Sequence, residues 1–437
     1  MRAHRKTLAT VTAVALVLVA CGDGEDATDA PDVDGEANGE EEADAADDGE
    51  ERSLSVWIMQ PGSDEVENIV GDSVEAFEEE HGNVTVDLQF VPWDAAHDQF
   101  VTAIGGGQVP DVAEMGNTWT PEFAELGGLA PIEGDIDGDY IDSMVDSGIV
   151  DGEAYGYPWY AGARALIYRA DVFEELGLEA PTDWDELFEV GETIEAETDM
   201  DPINVAGNYV HMQAPMVWHA GGDIAVEENG TWSANVDSEE GRAAFEAYAE
   251  LFERGWSPEG AISWSSVDVR EAFANEDSAM MIGGGWDLAA AIGENPDLEG
   301  NVATELTPAG PGGSQEAFAG GSHLVQFAES DELELGREFI DHMLQEDEVT
   351  EFAEALGFLP GTVSGVEASE ASGDDLYDTF ATQMVEHSRS YPSTGAWGAI
   401  EGDQVFQNAI QQVMQGDLTI DEAVAQVDEQ MNDAFAD

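Results

Sequence analysis

Apolar and polar positions alternate along this chain with two distinct periods. The run from Leu54 to Met59, LSVWIM, is nearly continuous in apolar residues and reads as a buried strand. Behind it, Ser63 is a residue type that caps helices. Val66, Ile69, Val70, Val74 and Phe77 then recur at helical spacing until Gly82, which ends the pattern. Val84, Val86, Leu88 and Phe90 alternate strictly with polar residues, the period of a strand with one buried face. Strand, helix and strand within about forty residues form a βαβ unit, which implies parallel strands. A second helix is predicted over Trp93–Ile104, stopped by Gly105, Gly106 and Gly107, with a short strand in PDVAEM after it.

The same alternation continues through the middle and the end. Ala165–Arg169 reads as a strand. Thr182 opens a capping-box-like start with Asp185 three positions on, before the stripe Trp184, Leu187, Phe188 and Ile194. Ser278–Gly284 reads as a strand running into a glycine turn. Val405, Phe406, Ala409, Ile410, Val413 and Met414 mark an amphipathic helix closed by Gly416. Thr419 and Glu422 form a capping box for a last helix carrying Val424, Val427 and Met431. The predicted class is α/β. From Leu54 onward, about 385 residues exceed one ordinary core of this kind, so two lobes are expected.

The first residues follow neither period. Arg2, Arg5 and Lys6 precede an apolar stretch from Leu8 to Ala20. About thirteen residues are too few to cross a hydrocarbon core of roughly 30 Å as a helix. Length and basic flank suit a secretory signal peptide. The string Leu18-Val19-Ala20-Cys21 resembles a bacterial lipobox, in which the cysteine is lipidated and becomes the first mature residue. The competing reading is an ordinary signal peptide. Cys21 is the single cysteine, so no intrachain disulfide is available. Residues 22–53 are expected to be a disordered acidic tether. From Gly22 to Glu51 there is no aromatic residue, and Val33 is the one large aliphatic one, too little to offset the entropy of ordering.

Charge narrows the partners. With 97 acidic and 11 basic residues the net charge is −86. Three of the basic residues lie in the signal segment; the remaining eight are all arginines. Such a chain repels nucleic acid and anionic lipid headgroups. The excess is spread too evenly for an interaction tail and fits a saline habitat, where molar salt screens the repulsion to a few ångströms. With so many carboxylates, no Asp/Glu pair counts as evidence for acid–base chemistry. A P-loop needs a lysine, and the lone lysine is Lys6. Asp135–Asp146 superficially resembles a calcium loop but has Tyr140 at its sixth position, where glycine is needed. His211 and His219 are eight apart, not the four of a helical zinc pair. No G-x-S-x-G elbow occurs. No cofactor and no metal are expected.

Local strings now carry a resemblance. VWIMQPGSDEVENIV, GGGQVPDVAEMGNTWTPEFAELGGLAPI, GEAYGYPWYAGARALIYRADVFEELGL with PTDWDEL, then SAMMIGGGWDL, GGSHLVQF and VMQGDLTIDEAV, in this order, resemble the family 1 extracellular solute-binding proteins over nearly all of Leu54–Ala436. These serve sugar importers of the ATP-binding-cassette type, and the maltodextrin-binding proteins are their best-known members. The resemblance implies two α/β lobes closing on a sugar like a clamp, with a chain that visits each lobe twice. Lobe one is expected at 54–161 plus 328–374, and lobe two at 162–327 plus 375–437.

A sugar site needs aromatic platforms for ring faces and planar polar groups for hydroxyl rims. Trp119, in GNTWTPEF, follows a predicted strand end, where open α/β sheets bind ligands. Matching this string to the family brings Asn117, Thr118 and Trp119 to the cleft. Trp286 and Trp397 fall where the family carries aromatics, and one of Trp159 and Tyr160, at the first crossover, is expected to face the ligand. Gln60 follows the first strand, where the family has polar contacts. Gln213 and Gly162 stand where maltodextrin binders place ligand carboxylates, and both departures count against maltodextrin itself. Arg164, beside the crossover, has a fork able to hold hydroxyls or a carboxylate; a structural ion pair is the competing reading. Asp287 and Ser322 are weaker candidates.

The resemblance therefore implies a monomeric, non-catalytic sugar receptor, secreted and lipid-anchored to the outer face of the cell membrane through Cys21, delivering an oligosaccharide to the permease subunits of an ABC transporter. Two readings stay open beside it: a secreted carbohydrate-active enzyme, which needs the same aromatic clefts and carboxylates, and a binding protein for a non-sugar solute such as a peptide, polyamine or osmolyte.

Overall fold

The computed structural model describes residues 51–61, 63–134, 136, 138–371 and 375–436. The expected signal peptide, Cys21 and residues 22–50 of the expected tether 22–53 lie outside the described residues; Arg52 and Ser53, placed in that tether, instead open the first strand.

The first βαβ unit forms where the periodicity places it. Strand Arg52–Met59 pairs in parallel with Val84–Val91, Leu54 opposite Val86. The helix between them, Asp64–His81, starts where the Ser63 hydroxyl accepts the Val66 N–H at 3.2 Å and ends at Gly82 in the left-handed region. The next helix, Trp93–Gly106, ends at left-handed Gly107. At the chain's end, Thr419 and Glu422 form the expected reciprocal cap of Ile420–Ala436. The helix Trp184–Glu197 differs by one residue. Asp183 is its cap and accepts from Glu186 N–H at 2.9 Å, while Glu186, not Asp185, reaches back to Thr182. Both arrangements satisfy the same free N–H groups, and spacing alone does not choose between adjacent cap residues.

Two sheets organise the molecule. The larger has six strands in the order Leu359–Pro360, Gly156–Gly162, Gly320–Gln326, Val112–Gly116, Arg52–Met59, Val84–Val91. The smaller has four: Val302–Glu305, Ala165–Arg169, Ser278–Gly283, Asp201–Ile203. Each carries its own core. Phe77, Phe339 and Phe352 pack on one face of the large sheet, Phe100, Phe123 and Phe327 on the other. Phe173, Phe245, Trp256 and Phe273 anchor the core of the second lobe.

One boundary moves. Gly320–Gln326, expected in lobe two, pairs antiparallel with Val112–Gly116 and with Gly156–Gly162 and so belongs to the sheet of lobe one. An alternating apolar pattern states that a strand is buried, not which sheet buries it.

Register then shows where the two lobes meet. In the large sheet, Gly116 at a strand's carboxyl end lies opposite Ser322, and Gly162 lies opposite Gly320. In the small sheet, Gly283 lies opposite Ala165 and Glu305 opposite Leu166. The chain passes between lobes through Gly162–Ala165 and again through Phe318–Gly320, so the carboxyl ends of the main strands in both sheets face the crossovers. A compact set of mostly small residues, including Ala161, Ala163, Ala317 and Ala319, packs there with Ile141 and Met144.

Candidate functional site

Consecutive side chains on an extended strand point to opposite faces. On the first crossover, Ala161 and Ala163 join the cluster around Met144, whereas Gly162 and Arg164 face the other way. The two faces have different surroundings. On the Met144 side lies a crevice of about 1030 Å³, bordered by Asp142 and Asp146 of one lobe and Tyr391 and Thr394 of the other. None of the residues anticipated as ligand contacts lines it.

The opposite face is built from strand ends. Trp286 follows Ser278–Gly283 and stacks face to face on Phe358, centroids 4.4 Å apart and planes 9° from parallel. Trp286 comes from lobe two and Phe358 from lobe one, so the ring pair bridges the lobes. Both rings stay half-buried. Gly162 makes room for them: a Cβ there would lie 2.6 Å from the Trp286 ring and 2.9 Å from Phe358. Gly357, left-handed at the end of helix Glu346–Leu356, turns the chain so that Phe358 reaches this position.

Arg164 lies beside the pair. Its guanidinium carbon is 5.1 Å from the Trp286 ring centroid and 5.4 Å from that of Tyr209, and its Nε donates to the Tyr209 hydroxyl at 2.9 Å. Tyr209 in turn donates to Ile282 O at 3.1 Å. Burial pushes the Tyr209 phenol up to about 12, so it stays protonated. His211 lies nearby, and burial with the Arg164 charge drives its pKa well down, leaving a neutral ring. That ring stacks on Phe318 at 4.6 Å; Phe318 stacks on Tyr391 at 4.2 Å, and Tyr391 on Trp397 at 4.3 Å.

The lobes also touch directly. Gly395 N–H donates to Glu125 Oε1 across the gap at 2.9 Å. Glu401 of lobe two faces the Thr118 hydroxyl of lobe one and the Trp397 indole; enclosure of its carboxyl raises its pKa to about 7 despite these neighbours. The Trp397 N–H approaches Glu401 without a well-formed hydrogen bond.

The residues anticipated from sequence separate into two groups. Gln60 is exposed at the end of the first strand, Thr118 and Trp119 are partly exposed after Val112–Gly116, and Trp286 and Arg164 meet at the crossover. Trp119 packs edge-on against Trp93 at 5.6 Å and His97 at 5.5 Å. The others are turned inward. Trp159 is fully buried and stacked on Phe352 at 4.2 Å inside lobe one. Tyr160 and Ser322 both donate to Glu114, a carboxylate that also takes the Met59 N–H. Asn117 holds the second crossover, its Nδ2 donating to Ala319 O and its N–H to Gly321 O. Gln213 spends its amide on Ala206 O and Gly207 O. Asp287 caps its own helix through Gly284 N–H at 3.0 Å. Trp397 is 1% exposed, covered by Tyr391. In this conformation these side chains are buried.

Phe358, Tyr209 and His211 were not singled out as ligand contacts from sequence. Phe358 had a signal: an aromatic residue directly after a glycine-ended helix, two positions before Pro360. Tyr209 and His211 had none, because their loop joins the site only when Asp201–Ile203 pairs beside Ser278–Gly283. Among the described residues, no group of three or more His, Cys, Asp or Glu could hold a metal ion, and no helix is long and apolar enough to cross a membrane.

Comparison with known proteins follows the same lines. A family model described as bacterial extracellular solute-binding protein matches residues 62–350. The diacetylchitobiose-binding protein DasA of Streptomyces coelicolor is 27% identical over 396 residues, 88% of this chain and 90% of that one. Among solved structures, the sugar-binding protein MalE from the phytopathogen Xanthomonas citri is 28% identical with a TM-score of 0.77, covering 88% of this chain and 97% of that chain. An ABC transporter solute-binding protein from Thermotoga lettingae TMO, bound with alpha-D-tagatose, is 26% identical with a TM-score of 0.75, covering 88% of this chain and all of the other.

Proposed function

Because the chain belongs to the bacterial extracellular solute-binding proteins, we propose that it captures a saccharide between its lobes and delivers it to the permease of an ABC importer. The observation that carries this reading is the half-buried Trp286–Phe358 pair, flanked by Arg164 and Tyr209, where the chain passes between lobes. Aromatic faces accept the apolar face of a sugar ring, and the guanidinium and phenol suit its hydroxyl rim. The relatives named above bind diacetylchitobiose, sugars and tagatose. The working division is residues 52–162 plus 320–371 for lobe one and 163–319 plus 375–436 for lobe two. Gln60, Thr118 and Trp119 complete the site from lobe one. A bound sugar favours the closed arrangement, and the permease reads that arrangement.

The protein is a monomeric receptor, not an enzyme, and needs no cofactor. Cys21 carries the lipid that holds it at the outer face of the cell membrane, and the acidic residues after it act as the leash. The test is a panel of mono- and oligosaccharides read by tryptophan fluorescence and thermal shift. Saturable quenching with the sugar recovered unchanged after long incubation supports a receptor. Turnover of the sugar would make it a carbohydrate-active enzyme, and no response across the panel would remove the sugar.

A further inference from the structure

The arginines account for their charges with one exception. Eight lie among the described residues. Seven of them (Arg52, Arg169, Arg242, Arg254, Arg270, Arg337 and Arg389) hold a carboxylate within ion-pair distance. Arg164 has no ion-pair partner among the described residues, rich as they are in carboxylates. It is also 9% exposed, the condition under which an unpaired cation is most costly. Of its five N–H donors, the Nε–H alone has an acceptor among the described residues, the Tyr209 hydroxyl.

The surroundings keep that charge free. Asp287 feels the Arg164 charge but forms no ion pair with it, and its Oδ2 is engaged by Gly284 N–H. Tyr209 and His211 are neutral. Trp286 and Tyr209 present ring faces, which stabilise a guanidinium without neutralising it. Gly162, two residues earlier on the same face, adds no side chain of its own. The result is a buried cation with unused donors beside an aromatic platform.

We propose that the solute is an anionic saccharide, a uronate-containing oligosaccharide, whose carboxylate pairs with the free edge of Arg164 while a sugar ring rests on the Trp286–Phe358 pair. A carboxylate matches the guanidinium fork in two parallel hydrogen bonds and supplies the missing counter-charge; a neutral hydroxyl does not. This deepens the function proposed above and rests on it.

The experiment measures binding to the full mature chain in high salt. The probes are trimers of galacturonate, glucuronate, mannuronate and guluronate, each beside its neutral galactose, glucose, mannose or gulose counterpart. The expected result is that at least one uronate trimer binds about tenfold to a hundredfold more tightly than its neutral counterpart. That ratio should collapse towards one in Arg164→Gln and fall without vanishing in Arg164→Lys, with folding checked by circular dichroism. Lysine keeps the charge but loses the fork, so it should recover part of the affinity at most. Two results overturn the inference while leaving a sugar receptor intact: neutral trimers binding as well as every uronate, or a uronate preference that survives both substitutions. No binding of any saccharide, charged or neutral, would overturn both proposals together.

Discussion

The Tyr160 hydroxyl donates to Glu114 Oε1 at 2.6 Å in the interior of lobe one, and both side chains are almost fully buried. The same carboxylate takes Ser322 Oγ–H at 2.8 Å and, on its other oxygen, Met59 N–H at 2.8 Å. Four strands of the large sheet are thereby tied at their crossover end. Met59 ends the first strand, Tyr160 lies in the first crossing strand and Ser322 in the second.

Burial raises the Glu114 pKa from the ordinary 4.5 to about 7, outweighing the three hydrogen bonds that pull it down. The folded state therefore binds this proton more tightly than the unfolded chain. Stability from Glu114 is fully present below about 4.5 and is lost as pH rises through about 7. Glu114→Gln should remove this component, so the melting-temperature difference between wild type and variant should change across that window and flatten outside it. Glu114→Ala strands three buried donors and should cost about 3 kcal/mol by chemical denaturation.

Gly162 and Trp286 compete for one space. Gly162→Ala puts a Cβ about 2.6 Å from the Trp286 ring, which must move. The expected outcome is an altered near-ultraviolet circular dichroism spectrum and weaker solute binding, with lobe cores intact by far-ultraviolet signal. Trp286→Ala should weaken binding about tenfold to a hundredfold and abolish most of the fluorescence quenching, since one aromatic contact plus its buried area is worth about 1.5–3 kcal/mol. Unchanged affinity in Trp286→Ala would remove the ring pair from the site.

From a net charge of −86 we expect the folded state to depend on salt. Screening shortens the range of repulsion from about 14 Å near 0.05 M to a few ångströms in molar salt. The melting temperature should rise steeply between roughly 0.05 and 3 M salt. A flat profile would contradict the saline reading of the composition.

Cys21→Ser should release the protein into the medium with solute affinity unchanged. The substituted position lies before the acidic stretch and is not among the proposed solute contacts. Fractionation of cells and culture fluid, with binding measured on the released protein, checks both halves of this expectation.

Much of the local structure was legible in the chain. Ser63, Gly82, Thr419 and Glu422 terminate helices where their chemistry places them, because a cap involves residues only three or four positions apart. The candidate site was legible only at strand ends. Trp286 follows a recognisable strand and turn, and Arg164 is a rare cation beside a crossover. Trp159 and Tyr160 illustrate the limit. Both are aromatic, adjacent and at the right crossover, yet one stacks on Phe352 and the other holds Glu114.

By itself, then, the sequence determined the alternation of strands and helices, the caps that bound them, the net charge and the family to which the chain belongs. Tertiary structure alone decided that Gly320–Gln326 joins the sheet of lobe one, that Phe358 meets Trp286, and that Arg164 has no ion-pair partner among the described residues. The physical reason is distance along the chain. Periodicity and capping report on neighbours within a few residues, whereas sheet membership, ring stacking and the pairing of a buried charge depend on segments brought together only by folding.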